Sequence, residues 1–276
     1  MNPDPNDESS VWLEAVNEAR KAELSGDWVR AEQAFLRAVD EPSGSPELRS
    51  KACLDLAEVY SVLGRTAEQK HALDAAVAIA NQSEMVMIVL MALQRRALFF
   101  LSQHELDEAR RDAQECFSLM KVDRDQNLWA RYAQGASLIF DTRAILILAR
   151  CAVEEHKPKE AEKLLAKARK RAGAPENLQS TAAGILAVES QYWHVTAKLH
   201  EQNGDLDAAC EALKNLVDYR RAISLAPQLD GAMHFLYLAE ALEAYAAMLT
   251  RAGKAARATP AQSEANTIRT RYAAPK

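Results

Sequence analysis

The chain has 276 residues, with 34 Lys+Arg against 39 Asp+Glu for a formal net charge of −5, and it is 49% hydrophobic. An apolar share of that size excludes a wholly disordered chain, and the mild acidity argues against a dedicated nucleic-acid binder, which needs concentrated positive surface. With 52 alanines but only nine glycines and nine prolines, the composition favours helix over strand.

The first ten residues, MNPDPNDESS, carry three acids and no Lys or Arg. That is not the layout of a secretory signal, and residues 1–8 read as a disordered tail. An amphipathic pattern follows. The turn Ser25-Gly26-Asp27-Trp28 precedes Ala31, Phe35 and Ala38. The same offsets recur much later, where Asn203-Gly204-Asp205-Leu206 precedes Ala209, Leu213 and Leu216. Residues at these offsets share one face of a helix, so the unit is helix, turn, helix. In chain order, further copies run Leu56, Ala57 and Tyr60 before Gly64, then Leu93, Ala97 and Phe100 before His104. Ile145, Leu148, Ala149 and Ala152 precede His156, and Leu242, Tyr245, Ala246 and Leu249 precede Gly253. The turn markers therefore fall at 26, 64, 104, 156, 204 and 253.

Capping chemistry places the boundaries. Ser45-Pro46-Glu47 offers an N-cap Ser, Pro at the first helical position and an early acid. Thr259-Pro260 repeats the Ser-Pro pattern and predicts the start of a closing helix. Pro175 and Pro227 mark breaks. The stretch 126–155 is either one helix or two that part near Gly135. The longest apolar run, 85–93, is nine residues, where a membrane span needs about 20.

These positions resemble the tetratricopeptide repeat (TPR) family. A large residue opens the first helix, Ala sits in its middle, an aromatic follows, Gly makes the turn, and Ala recurs in the second helix. The later units are longer than the usual repeat. In that they resemble the variants of kinesin light chains and of large bacterial transcription activators. The resemblance implies an all-α, right-handed superhelical solenoid of about six helix pairs plus a C-terminal capping helix, forming one domain over 9–276. His104 and His156 depart from the turn Gly.

No Walker A loop, GxGxxG, GxSxG or HExxH is present. No catalytic residue, cofactor or metal ligand is expected, and the chain reads as a non-enzyme. The four cysteines, 35 to 63 residues apart, form no CxxC and read as core. The basic run 157–171 reads as the solvated face of a second helix. The expected setting is the cytoplasm, without nucleic-acid or membrane partners.

The family's first helices line a concave groove, which implies a protein or peptide partner held there. The inward positions give Met91, Gln94, Leu98, Leu101, Tyr132, Arg143, Leu146, Arg150, His194 and Lys198 as the candidate peptide-binding residues. Arg143 and Arg150, seven apart, share a helix face and suit an acidic group on a peptide with apolar anchors. The alternative to a scaffold is a regulatory sensor that binds a small ligand or signalling peptide and reports through a change of superhelix. The clamp that a TPR subgroup uses for chaperone tails is not met. Val16, Arg20, Asp55, Met91 and Arg95 stand at its positions, and only Arg95 fits. Residues 1–58 carry net −7 and 251–276 net +5. If a solenoid holds its ends apart, that asymmetry favours weak head-to-tail self-association.

Overall fold

A computed structural model describes residues 5–42, 44–83, 85–126, 136–172, 182–225 and 232–273. Among the described residues there are twelve helices and no strand. In order they are α1 (Pro5–Leu24), α2 (Trp28–Asp40), α3 (Pro46–Val62), α4 (Thr66–Ala80), α5 (Val86–Ser102) and α6 (Leu106–Gln126). There follow α7 (Ala136–Glu154), α8 (Pro158–Ala172), α9 (Ala182–Gln202), α10 (Leu206–Ser224), α11 (Ala232–Arg251) and α12 (Ala255–Tyr272). Successive helices form six hairpins, so the fold is an all-α, TPR-like array of helix pairs.

All six hairpins turn on one backbone device. The predicted markers have positive φ: Gly26 75°, Gly64 70°, His104 59°, His156 56°, Gly204 79° and Gly253 74°. At each, the N–H of the next residue reaches the carbonyl five back, and the marker's own N–H reaches the carbonyl three back. In the first hairpin these are Asp27 N to Ala22 O at 2.9 Å and Gly26 N to Glu23 O at 3.0 Å. In the fourth they are Lys157 N to Ala152 O and His156 N to Val153 O, both 2.9 Å. This is the Schellman arrangement, which satisfies carbonyls orphaned at a helix end. The residue after the marker also starts the next helix. Asp27 and Asp205 cap it, accepting from Arg30 N at 3.1 Å and Ala208 N at 3.0 Å.

The chain divides into two compact units. The first comprises Met1–Arg96, Asp230–Met233 and Arg271–Lys276. Its core includes Trp12, Ala15, Ala38 and Ala52, with Val16, Val39 and Leu48 packed on them. Trp28 and Phe35 are buried beside Ala31 and Ala34, where the missing bulk of Ala lets helices approach closely. The indole N–H of Trp28 donates to the Tyr272 carbonyl at 2.9 Å. The end of α12 is therefore held to the first hairpin within this unit.

The second unit comprises Ala97–Leu229 and His234–Thr270. One core gathers Ile145, Leu146, Ala149, Ala152, Leu165 and Val195 from α7, α8 and α9. Another gathers Leu213, Leu216, Leu242, Leu249 and Ala265 from α10, α11 and α12.

Two boundaries differ from the sequence reading. Helix α1 starts at Pro5, inside the segment read as a tail. Pro260 lies within α12, so the closing helix and the second helix of the sixth pair are one. Thr259 does not cap there; its hydroxyl donates back to the Ala255 carbonyl at 3.4 Å. Ser45 does cap α3, accepting from Leu48 N at 3.4 Å. Pro175, Pro227 and the break near Gly135 lie outside the described residues.

A Cβ placed on Gly64, Gly204 or Gly253 would meet nothing within 4 Å, so only the backbone conformation resists a side chain. Each Gly→Ala change should cost about 1 kcal/mol in urea melts, with near-equal values at the three sites. Trp28→Phe removes the bond to Tyr272 and should cost about 2 kcal/mol by the same measurement.

Candidate functional site

Helices α7 and α9, the first helices of the fourth and fifth pairs, pack on each other in the second unit. Their shared face carries Arg150 and Glu154 from α7, and Gln191, His194 and Lys198 from α9. The spacing is three to four residues along each helix, which stacks side chains on one face. Lys198 Nζ donates to Glu154 Oε1 at 2.8 Å. Arg150 Nε stands 3.8 Å from the same oxygen, and His104 Nδ1 lies 3.9 Å from Glu154 Oε2. Burial works against charge on Glu154, but the Lys198 hydrogen bond and the fields of Lys198, Arg150 and His104 hold its pKa below the ordinary value. Gln202 Nε2 donates to the Val153 carbonyl at 2.8 Å and ties the two helices further.

The other polar atoms on this face are less well served. Arg150 Nε, Ser190 Oγ, both amide atoms of Gln191, and His194 Nε2 are buried with no hydrogen-bond partner among the described residues. His194 is only half-buried as a residue, yet its ring sits where protonation is costly. Burial first, then the fields of Arg150, Lys198 and Arg220, push its pKa down to about 3. The imidazole is neutral at physiological pH.

Beside this face, α8 supplies arginines to buried acids. Arg169 Nη1 meets Glu189 Oε1 at 2.6 Å, and its guanidinium stacks 3.9 Å above the Tyr192 ring. Arg171 Nε meets Asp141 Oδ2 at 2.8 Å. Two cations of the basic run 157–171 thus fasten α8 to α9 and α7, in place of the solvated role read for the run. Lys159, Lys163, Lys167 and Lys170 remain on the exposed side.

The ten predicted residues separate. Arg143, Arg150, His194 and Lys198 are half-buried on α7 and α9. Leu146 is fully buried and belongs to the core of α7, α8 and α9. Leu101 and Gln94 are buried at 1% and 0% exposure, so neither offers surface to a partner. The reason is common to the three: α5 and α7 bury residues on more than one side, and no polar stripe sets the inward phase. Leu98 is half-buried in the second unit, Met91 half-buried in the first, and Gln94 lies in the first. Tyr132 lies outside the described residues. Ser190, Glu154 and Arg220 are not among the residues that the sequence points to. Glu154 had a signal, four residues after Arg150; Arg220 had none.

In the first unit, the positions compared with the chaperone-tail clamp carry ion pairs of their own. Arg20 meets Glu23 at 2.9 Å and Asp55 at 2.7 Å, and Arg95 pairs with Glu58. Burial raises Glu23 to about 7 despite Arg20. All four cysteines are free and buried. Burial pushes the thiols up, Cys53 and Cys151 to about 11 and Cys116 to about 12, which leaves them poor nucleophiles. No helix among the described residues is long and apolar enough to cross a membrane.

No family model matches this sequence, and no curated protein does. Solved structures similar to it include TPR repeat proteins. A tetratricopeptide repeat protein from Parabacteroides merdae ATCC 43184 is 15% identical, with 97% of this chain and 81% of that chain covered and a TM-score of 0.45. BtubC (BKLC) from P. vanneervenii is 15% identical, with 93% and 91% covered and a TM-score of 0.45. Podosopora anserina kinesin light chain nearly identical TPR-like repeats are 18% identical, with 82% and 97% covered and a TM-score of 0.41. At these identities and scores the neighbours add nothing about binding. The class, a TPR-like helix-hairpin protein, rests on the chain's own six turns.

The buried imidazole predicts a pH response. His194 has a folded pKa below its unfolded value, so the unfolded chain takes up protons first. Its contribution to stability is complete above about 6.5 and is lost as pH falls toward about 3. Glu23 acts oppositely, because its raised pKa costs stability as pH climbs from 4.5 through about 7. Comparing wild type with His194→Gln isolates the histidine. Thermal melts from pH 7.5 to 4.5 should show a shallower acid loss in the variant.

Proposed function

We propose that the chain is a non-enzymatic scaffold that holds a protein or peptide partner on the first helices of its hairpins. The observation that carries this reading is the convergence of Arg150, Gln191, His194 and Lys198 on one face of α7 and α9, beside Glu154. Elsewhere among the described residues, arginines are largely matched with acids between helices, and the thiols are buried. A partner would meet cationic, hydrogen-bonding side chains held on rigid helices, which favours specific polar recognition. The cytoplasm is the setting most in keeping with four free cysteines.

A sensor is the second reading. It is favoured by the buried, unpartnered atoms of Gln191 and His194, which suit a small ligand as well as a peptide. Self-association has less support, because the terminal contact through Trp28 is made within one molecule.

Capture from the lysate of the source cells tests the scaffold. Neutralising Arg150→Gln with Lys198→Gln should cut retention of the partner by at least about tenfold, since loss of desolvated charge pairs costs over 1.4 kcal/mol. Circular dichroism should stay that of a helical protein. Undiminished retention by the folded variant would place the partner on another surface.

A further inference from the structure

Six large apolar side chains are exposed among the described residues, and five of them lie on the first hairpin. Two of the five, Leu13 and Leu24, are 52% and 43% exposed and belong to one stripe of α1. Leu13, Glu14, Asn17, Lys21 and Leu24 are linked by steps of three, four and seven residues, which stacks them on one face. All five are exposed. The opposite face of α1 carries Trp12, Ala15, Ala19 and Ala22 into the core. An open groove of about 760 Å³ runs along the stripe, lined by Leu13, Glu14, Asn17 and Lys21, with Arg30 of α2 beside them.

Other charges of the hairpin are matched. Glu18 meets Arg30 at 2.9 Å and also holds Arg37, and Arg20 meets Glu23 at 2.9 Å. Glu14 and Lys21, in contrast, have no ion-pair partner among the described residues. They stand seven apart, whereas side chains on one helix pair at three or four, so they do not neutralise each other within α1. Along the helix the stripe reads apolar, acid, amide, base, apolar. Reversing its direction keeps the apolar ends and the central amide and exchanges acid for base. A surface of that kind is complementary to itself when two copies meet antiparallel.

We infer that the exposed stripe of α1 is a two-fold interface for a second copy of this chain. Leu13 packs on the partner's Leu24, and Glu14 pairs with the partner's Lys21. Symmetry makes each of these contacts twice. The two Asn17 amides meet at the axis, where each offers a donor and an acceptor to the other, and a single Asn at such a point fixes register. The stripe is only about 18 Å long, so the dimer is reversible and concentration-dependent. Head-to-tail association of the charged ends would join unlike surfaces. Here one stripe serves both copies, and the Trp28 contact leaves it open. The scaffold reading does not depend on it.

Sedimentation equilibrium of the full chain over a concentration series tests the interface, with circular dichroism as the control for folding. Wild type should follow a monomer–dimer equilibrium. Glu14→Lys and Lys21→Glu should each weaken the dimer at least about tenfold, because each sets like charges together twice. Mixed in equal amounts, the two single variants should pair with each other about as tightly as wild type does. The double variant should pair with itself, since the opposite charges are restored. Asn17→Cys should form an intermolecular disulfide under mild oxidation, and Leu36→Cys on α2 should not; the four native thiols are buried and do not compete. Wild-type chain that stays monomeric at its highest soluble concentration would overturn the interface, including when it binds lipid vesicles or another protein instead. So would a dimer that the folded single variants leave unchanged, single variants that do not rescue each other on mixing, or cross-linking through Leu36→Cys as readily as through Asn17→Cys.

Discussion

Each hairpin depends on a single residue in the left-handed region of backbone space. A helix that must reverse within three residues leaves carbonyls without partners at its end. A positive-φ residue folds the chain back so that two of them are bonded at once. Glycine adopts that conformation without strain, and four of the six turns use it. His104 and His156 adopt it with a side chain, at some cost in energy. The packing of the second helix on the first follows from this geometry. Ala31, Ala161 and Ala209, each five residues past a marker, are fully buried.

Once the hairpins are set, the polar side chains sort themselves between helices. Arg169 and Arg171 reach from α8 to buried acids on α9 and α7, and Arg20 serves Glu23 and Asp55 in the first unit. Such pairs offset the cost of burying charge, and they hold register between neighbours. The face of Arg150, Gln191 and His194 is built differently. Arg150 Nε, both amide atoms of Gln191 and His194 Nε2 have no hydrogen-bond partner among the described residues. Proteins tolerate that imbalance where something else completes it.

The sequence disclosed the turns better than the faces. Positions 26 and 204 repeat the same offsets, and the offsets alone located His104 and His156, where no glycine marks a turn. A left-handed turn has a strict chemical demand, so it leaves a trace. Which side of a helix looks outward leaves a trace only when one side is polar. Helix α5 buries Leu90, Leu93, Gln94, Phe99 and Leu101, and such a helix offers no phase to read. The family pattern puts Leu101 and Leu146 on a groove, whereas both are core. Arg150, His194 and Lys198 stood out because charges interrupt an apolar pattern. Arg220, on α10, joins them only through the packing of separate helices. Thr259-Pro260 failed as a boundary because a proline early in a helix can be carried when the turn before it already fixes the start.

Backbone chemical shifts of the isotope-labelled chain test the central claim, that one left-handed turn recurs six times. Residues 26, 64, 104, 156, 204 and 253 should all report positive φ, with helical shifts on both sides of each. Negative φ at His104 and His156, with helix running through them, would contradict the six-hairpin repeat.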